Sequence, residues 1–211
     1  DPQVVALSRG PRAAFSFLNN CLGNTEVVLG DARQSMQIEL KTQGGRGFDV
    51  LALDAFSSDA IPMHLLTREA MALYMQHLNP SRGVLAINIS NRFLDIEPVV
   101  SDAAQALGLH AVLVDSSGDR PVRARSLWIL MSRDAAVFQS AQLAPATRPL
   151  TSSRVAWTDT YGSPFQLMKW WQPLSAHKRL VVPWQWWRSR DEATPESPEL
   201  THEQRPVPPA E

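Results

Sequence analysis

Two short apolar runs, VLAL at residues 50–53 and VLAINI at 84–89, bracket an amphipathic stretch, and this arrangement constrains the fold more than any other feature of the chain. A continuous apolar run of that length fits a strand covered on both faces, as in a parallel sheet. Between them, residues 67–78 place Ala70, Leu73, Tyr74 and His77 at helical spacing after Leu66. A strand, a helix and a strand of these lengths form a crossover unit, the usual way to join parallel neighbours.

The pattern extends in both directions. Residues 2–20 read as a helix on Val4, Val5, Leu7, Phe15, Phe17 and Leu18, broken at Gly10-Pro11. TEVVL at 25–29 reads as a strand, followed by Gly30-Asp31-Ala32, where Asp31 can cap a helix starting near Arg33. That helix ends at Gln43-Gly44-Gly45. After the second apolar run, residues 95–107 form a helix on Ile96, Val99, Val100, Ala103 and Leu107, with Gly108 placed as its C-cap. Leu109–Val114 and Ser126–Met131 are strands joined by the polar loop 116–125, a closeness that suggests an antiparallel edge pair. The order predicts an α/β domain: a mostly parallel sheet with helices on both faces and an antiparallel edge strand.

Asp54 ends the first apolar run. A carboxylate at the carboxyl end of a parallel strand lies at the rim where open α/β sheets bind ligands. The loop that follows carries Ser57, Ser58 and Asp59 and closes at Pro62. Two acids and two hydroxyls there suit a cationic substrate; equally, Asp and Ser are ordinary turn residues. Asn88, Ser90 and Asn91 end the second run and are candidate pocket residues. His64 reads either as a proton carrier or as an exposed residue at a helix start. His77, late in a helix, would favour the helix dipole when charged. Arg120, Arg123 and Arg125 read as a solvated basic loop.

With 211 residues, 44% hydrophobic and 19% charged, the chain suits one globular domain with appendages. A net charge of −1 argues against a broad nucleic-acid surface. The single Cys21 excludes an intramolecular disulfide and a cysteine cluster for zinc, and His110 and His177 lack metal-ligand spacing, so no metal site is expected. No run reaches the roughly 18 apolar residues of a membrane span. Beyond residue 143 the character changes: six of the seven tryptophans (Trp157, Trp170, Trp171, Trp184, Trp186 and Trp187) lie there among Lys169, His177, Lys178, Arg179 and Arg188. These aromatics read as an extension packing on the core or a partner, with base stacking or a membrane interface as the alternatives. The expected division is therefore 1–143 as the main domain, 144–190 as the tryptophan-rich extension, and 191–211 as a disordered Pro/Glu-rich tail.

The succession of a DP helix start, VVLGDAR, FDVLALDAFSSDAIP and LLTREAMALYMQHLNPSRGVLAINI resembles the spermidine synthase (polyamine aminopropyltransferase) family. It is most similar to the branch fused to, or found beside, membrane-transporter-like segments, and Trp157-Thr158-Asp159-Thr160-Tyr161 resembles a WTDDY-type segment of that branch. The resemblance covers roughly residues 1–132 and implies a Rossmann-like fold of the S-adenosylmethionine-dependent superfamily. It implies decarboxylated S-adenosylmethionine as co-substrate and a small polyamine such as putrescine as acceptor. It makes Asp31 the acid that binds the adenine amine, with Ala32 offering a backbone N–H and Gly30 beside them. Asp54 becomes the acid that orients the attacking amine and helps deprotonate it. Ser57 and Asp59 fall in the substrate-gating loop; their spacing departs from the DSTDP-like loop, which leaves open which of them supplies the second acid. Asp159 or Tyr161 would fold back toward the pocket; equally, the segment reads as a packing and turn segment.

The same resemblance puts the glycine-rich turn, the first strand and the ribose-binding acid before Asp1. It also puts there an N-terminal β-domain with much of a homodimer contact. The expectation is thus a C-terminal part of a longer, cytoplasmic or membrane-linked protein. Two rival readings share these residues: a methyltransferase on the same fold, and a non-catalytic domain that binds a polyamine or nucleoside.

Overall fold

The computed structural model describes residues 2–11, 13–55, 62–116, 126–151 and 153–169. All of them fall in one compact unit, Asp1–Gln172. The expected disordered tail, five of the six tryptophans of the C-terminal extension, the basic loop with its three arginines, and Ser57 and Asp59 lie outside the described residues.

Among the described residues, four α-helices and a five-stranded open sheet make up the fold. The helices are α1 (Pro2–Ser8), α2 (Ala32–Gln43), α3 (Arg68–His77) and α4 (Glu97–Ala106). The strands are β1 (Val50–Leu53), β2 (Val84–Asn88), β3 (His110–Asp115), β4 (Leu127–Ser132) and β5 (Thr147–Arg148). Their order in the sheet is β1-β2-β4-β3-β5.

The predicted crossover unit forms. β1 and β2 pair in parallel, Val50 against Val84 through Leu53 against Ile87, with α3 between them in sequence. The mostly parallel sheet does not form. β4 inserts between β2 and β3 and is antiparallel to both, and β5 adds antiparallel to the far side of β3. One pairing of the four is therefore parallel, although β1, β2 and β3 all run in the same direction. The closeness of β3 and β4 in sequence correctly implies antiparallel pairing, but the pair is interior and not at the edge.

β1 also departs from expectation. It is an edge strand, and Val50 is 62% exposed, so the VLAL run is covered on one face only. By contrast β2 buries Leu85, Ala86 and Ile87 in succession. Successive side chains point to opposite faces of a sheet, so both faces are covered there. TEVVL at 25–29 forms no strand, and Val28 and Leu29 stay exposed. Among the described residues no neighbouring strand offers it a ladder, and without one β-propensity does not make a strand. The predicted helix over 2–20 shrinks to α1. Gly10, at φ 99°, takes a conformation that breaks it, and Phe15 and Phe17 beyond it are exposed.

The core is built from α3 (Ala70, Met71, Tyr74), α4 (Val99, Val100, Ala103) and the central strands (Leu85, Ile87, Ile129, Met131), with Trp157 buried among them. Burial pushes the Tyr74 hydroxyl up to about 12, and this hydroxyl donates to the Leu65 carbonyl at 3.3 Å. His77 has 0% exposure. Its Nε2 lies 2.9 Å from the Met36 carbonyl, and its ring stacks on Phe48, so it joins α3 to α2 and does not face solvent at a helix end. No helix of the described residues is long and apolar enough to cross a membrane.

Candidate functional site

The parallel register that pairs Leu53 with Ile87 puts the next residue of each strand side by side at the carboxyl edge of the sheet. The Asn88 amide donates to Asp54 Oδ1 at 2.8 Å. Asn88 Oδ1 accepts the Ser90 backbone N–H at 2.8 Å, which fixes the amide so that its NH₂ faces Asp54. Asp54 is exposed, and no other partner holds its carboxylate among the described residues. Ser90 is occupied in structure: its hydroxyl accepts the Leu127 N–H at 2.8 Å. Asn91 Oδ1 accepts from Phe93 and Leu94, and its carbonyl accepts from the Lys169 ammonium at 2.7 Å. Ser90, Asn91 and Lys169 line a cavity of about 300 Å³.

Asp31 heads α2. Its Oδ1 accepts the Gln34 N–H at 2.8 Å, the bond of an N-cap. Its Oδ2 lies 2.9 Å from His64 Nε2, and because a carboxylate carries no proton the imidazole is the donor. The Gln34 N–H first, and then His64, hold the Asp31 carboxyl below its ordinary value. Asp31 remains 41% exposed. With one bond to each oxygen it keeps acceptor capacity for a ligand donor. Gly30, at φ 138°, enters the helix through a conformation that side chains rarely adopt, and Ala32 is the first helical residue.

Arg33 ties this end of α2 to distant chain. Its guanidinium grips Asp159 through two bonds, Nη1 to Oδ1 at 2.7 Å and Nη2 to Oδ2 at 2.5 Å. The same Nη1 donates to the His64 carbonyl at 2.8 Å and to Thr67 Oγ1 at 3.3 Å. Thr67 donates to Asp159 at 2.8 Å while accepting the Ala70 N–H at the start of α3. The pairing with Arg33 lowers the Asp159 carboxyl and raises the Arg33 guanidinium. Arg33, His64, Thr67, Trp157, Asp159 and Tyr161 are among the residues lining a cavity of about 390 Å³.

The WTDTY segment does fold back, and Asp159 is the residue that reaches α2. Tyr161 lines the cavity and accepts from Gln166 at 3.3 Å. Gly162 permits the approach, because a Cβ there would sit 2.8 Å from the Met63 methyl and 3.3 Å from the Trp157 ring.

The structure thus brings Asp31 together with His64, and Asp54 together with Asn88; no hydrogen bond among the described residues joins the two acids. Arg33 and Thr67 escape reading from the sequence. Arg33 does lie two residues past the acid of GDAR, in the first turn of the helix that this acid caps. Among the described residues no group of three or more His, Cys, Asp or Glu could hold a metal ion.

No family model matches the chain. The chain is similar to the polyamine aminopropyltransferase of Vibrio vulnificus (strain CMCP6), 32% identical over 130 residues. That match takes in 60% of this chain, and the chain spans 42% of the length of that protein. The likeness supports the spermidine synthase family and a transferase as the general class.

Proposed function

We propose that this chain is an aminopropyltransferase domain, moving an aminopropyl group from decarboxylated S-adenosylmethionine to a small polyamine such as putrescine. The observation that supports it most is Asp54 held by Asn88 at the carboxyl edge of parallel strands, in a chain similar to a polyamine aminopropyltransferase. A Rossmann-like architecture is our reading of β1, β2 and β3 running in one direction with α3 and α4 in the connections. The transporter-linked branch is likewise our reading, from the WTDTY segment.

In this reaction the lone pair of the acceptor amine attacks the methylene carbon bound to the donor's sulfonium. The new N–C bond forms as the C–S bond breaks, and its electron pair leaves with sulfur as the neutral thioether methylthioadenosine. The nucleophile starts at a disadvantage, since an alkyl amine with a pKa of about 10 is nearly all protonated at neutral pH. Asp54 accepts a hydrogen bond from this nitrogen, orients it, and takes its proton as the bond forms. Asn88 keeps that carboxylate from rotating. The negative charge also favours the cationic acceptor electrostatically. Ser57 and Asp59 supply the second contact to the polyamine. Asp31 accepts from the adenine amine, Ala32 offers its N–H, and Gly30 lets the chain pass close. In-line positioning of donor and acceptor provides much of the rest of the acceleration.

The test is an assay of the protein with each donor. Decarboxylated S-adenosylmethionine with putrescine is expected to yield methylthioadenosine. Release of S-adenosylhomocysteine from S-adenosylmethionine would instead identify a methyltransferase, and nucleoside binding without turnover of either donor would identify a binding domain.

A further inference from the structure

We infer that Asp159 is a positioning residue for Asp31: acting through Arg33 and His64, it lets the segment that follows Trp157 set the orientation of the nucleoside-side carboxylate. The inference deepens the proposed function and rests on it.

The geometry forms one continuous path. Asp159 grips the Arg33 guanidinium through both terminal nitrogens, at 2.7 and 2.5 Å. A two-point grip fixes the plane of the guanidinium as well as its position. That plane aims Nη1 at the His64 carbonyl, 2.8 Å away. The ring of the same His64 donates to Asp31 Oδ2 at 2.9 Å. Arg33 is also two residues beyond Asp31 in the first turn of α2. The guanidinium therefore ties together the two pieces of backbone, at 31–33 and at 64, that set the carboxylate. Gln34 fixes one carboxylate oxygen and His64 the other, so the directions left open to a ligand donor are defined.

The far end of the path is anchored by burial and backbone hydrogen bonds. Trp157 is 1% exposed, and its carbonyl accepts the Arg68 N–H at 2.9 Å. A tight turn bonds the Thr158 N–H to the Tyr161 carbonyl at 2.7 Å, and the Asp159 N–H reaches Glu69 at 3.1 Å. An acid on an anchored turn, bonded to a residue that abuts the ligand acid, is the arrangement of a supporting shell. Thr67 completes it by donating to Asp159 while capping α3. Nothing on the path touches Asp54, so its effect falls on the nucleoside and not on the chemical step.

The experiment measures methylthioadenosine affinity and steady-state kinetics in the wild-type protein and in Asp159→Asn, His64→Ala and His64→Gln. Asp159→Asn and His64→Ala are each expected to weaken methylthioadenosine binding and raise the donor KM by about tenfold, a small but well-resolved change in affinity. In both, kcat at saturating donor and the acceptor KM stay within about twofold of wild type. His64→Gln, whose amide N–H can replace the imidazole donor, recovers most of the affinity. The double variant Asp159→Asn/His64→Ala is no weaker than His64→Ala alone, because both act on one path. Additive losses, or an Asp159→Asn protein that binds methylthioadenosine like wild type, overturn the inference. So does a loss shared equally by kcat and acceptor KM with a lowered melting temperature, which marks a general structural role. A wild-type protein that neither binds methylthioadenosine nor turns over overturns the proposed function itself, and the inference with it.

Discussion

The two acids that the sequence singles out are held in opposite ways. Asp31 has a partner on each oxygen and is linked through Arg33 to a segment more than a hundred residues away. Among the described residues Asp54 has one partner, Asn88, and it is exposed at the edge of the sheet. The contrast suits two jobs. A carboxylate that reads the shape of a nucleoside gains from a fixed orientation, because each bond made in advance lowers the ordering cost of binding. A carboxylate that meets a reacting amine needs an accessible oxygen and freedom to take a proton.

Substitutions can break this contrast, and the largest effect belongs to the open side. Asp54→Asn is expected to lower kcat by about 10²–10⁴-fold, the usual range for a general base, while leaving the urea midpoint unchanged. A large loss of stability in that variant would mean that Asp54 is structural. On the clamped side the largest effect is on folding. Trp157→Ala removes a fully buried indole from beneath the cavity and is expected to cost about 3–5 kcal/mol in chemical denaturation. Arg33→Ala comes next. Arg33 is 20% exposed and Asp159 42%, so solvent screens the pair and the expected cost is about 1 kcal/mol. Arg33→Lys should recover little of it, since an ammonium cannot reproduce the two-point grip.

The smallest effect is a pH dependence on the clamped side. Asp31 and Asp159 both lie below their ordinary value of 3.8 when folded. A depressed carboxyl stabilises the fold above its unfolded pKa, and that contribution is lost as pH falls through the folded value. Urea midpoints measured from pH 5 downward should therefore fall below about pH 4, and the fall should be shallower in Asp159→Asn. An identical acid limb in that variant would show that the pair adds nothing to stability.

Some of this was legible in the sequence, for reasons that can be named. The crossover unit 50–88 was, because β2 is buried on both faces and α3 carries its apolar residues at a clear helical period. Asp31 as a helix cap was also legible, since that bond is local. The place of β4 was not. An apolar run shows that a strand is buried but not which neighbour it pairs with, and here the later strand inserts between two earlier ones. The single-sided burial of β1 is hidden for the same reason, because Val50-Leu51-Ala52-Leu53 looks alike at an edge and at a centre. TEVVL shows the limit of propensity where no ladder is available. At the site, Asp54 could be read from its place at a strand end, whereas the Arg33–Asp159 pair spans 126 positions and left no local pattern.

The central claim is that Asp31 and Asp54 serve one composite site, and a bisubstrate analogue joining adenosine covalently to a diamine tests it most directly. Calorimetry on the protein should show the analogue binding at least about 100-fold more tightly than methylthioadenosine or the diamine alone, as expected when one ligand spans two adjoining subsites. Asp31→Asn and Asp54→Asn should each remove much of that gain. An analogue that binds no more tightly than its adenosine half, and is indifferent to Asp54→Asn, would contradict the account.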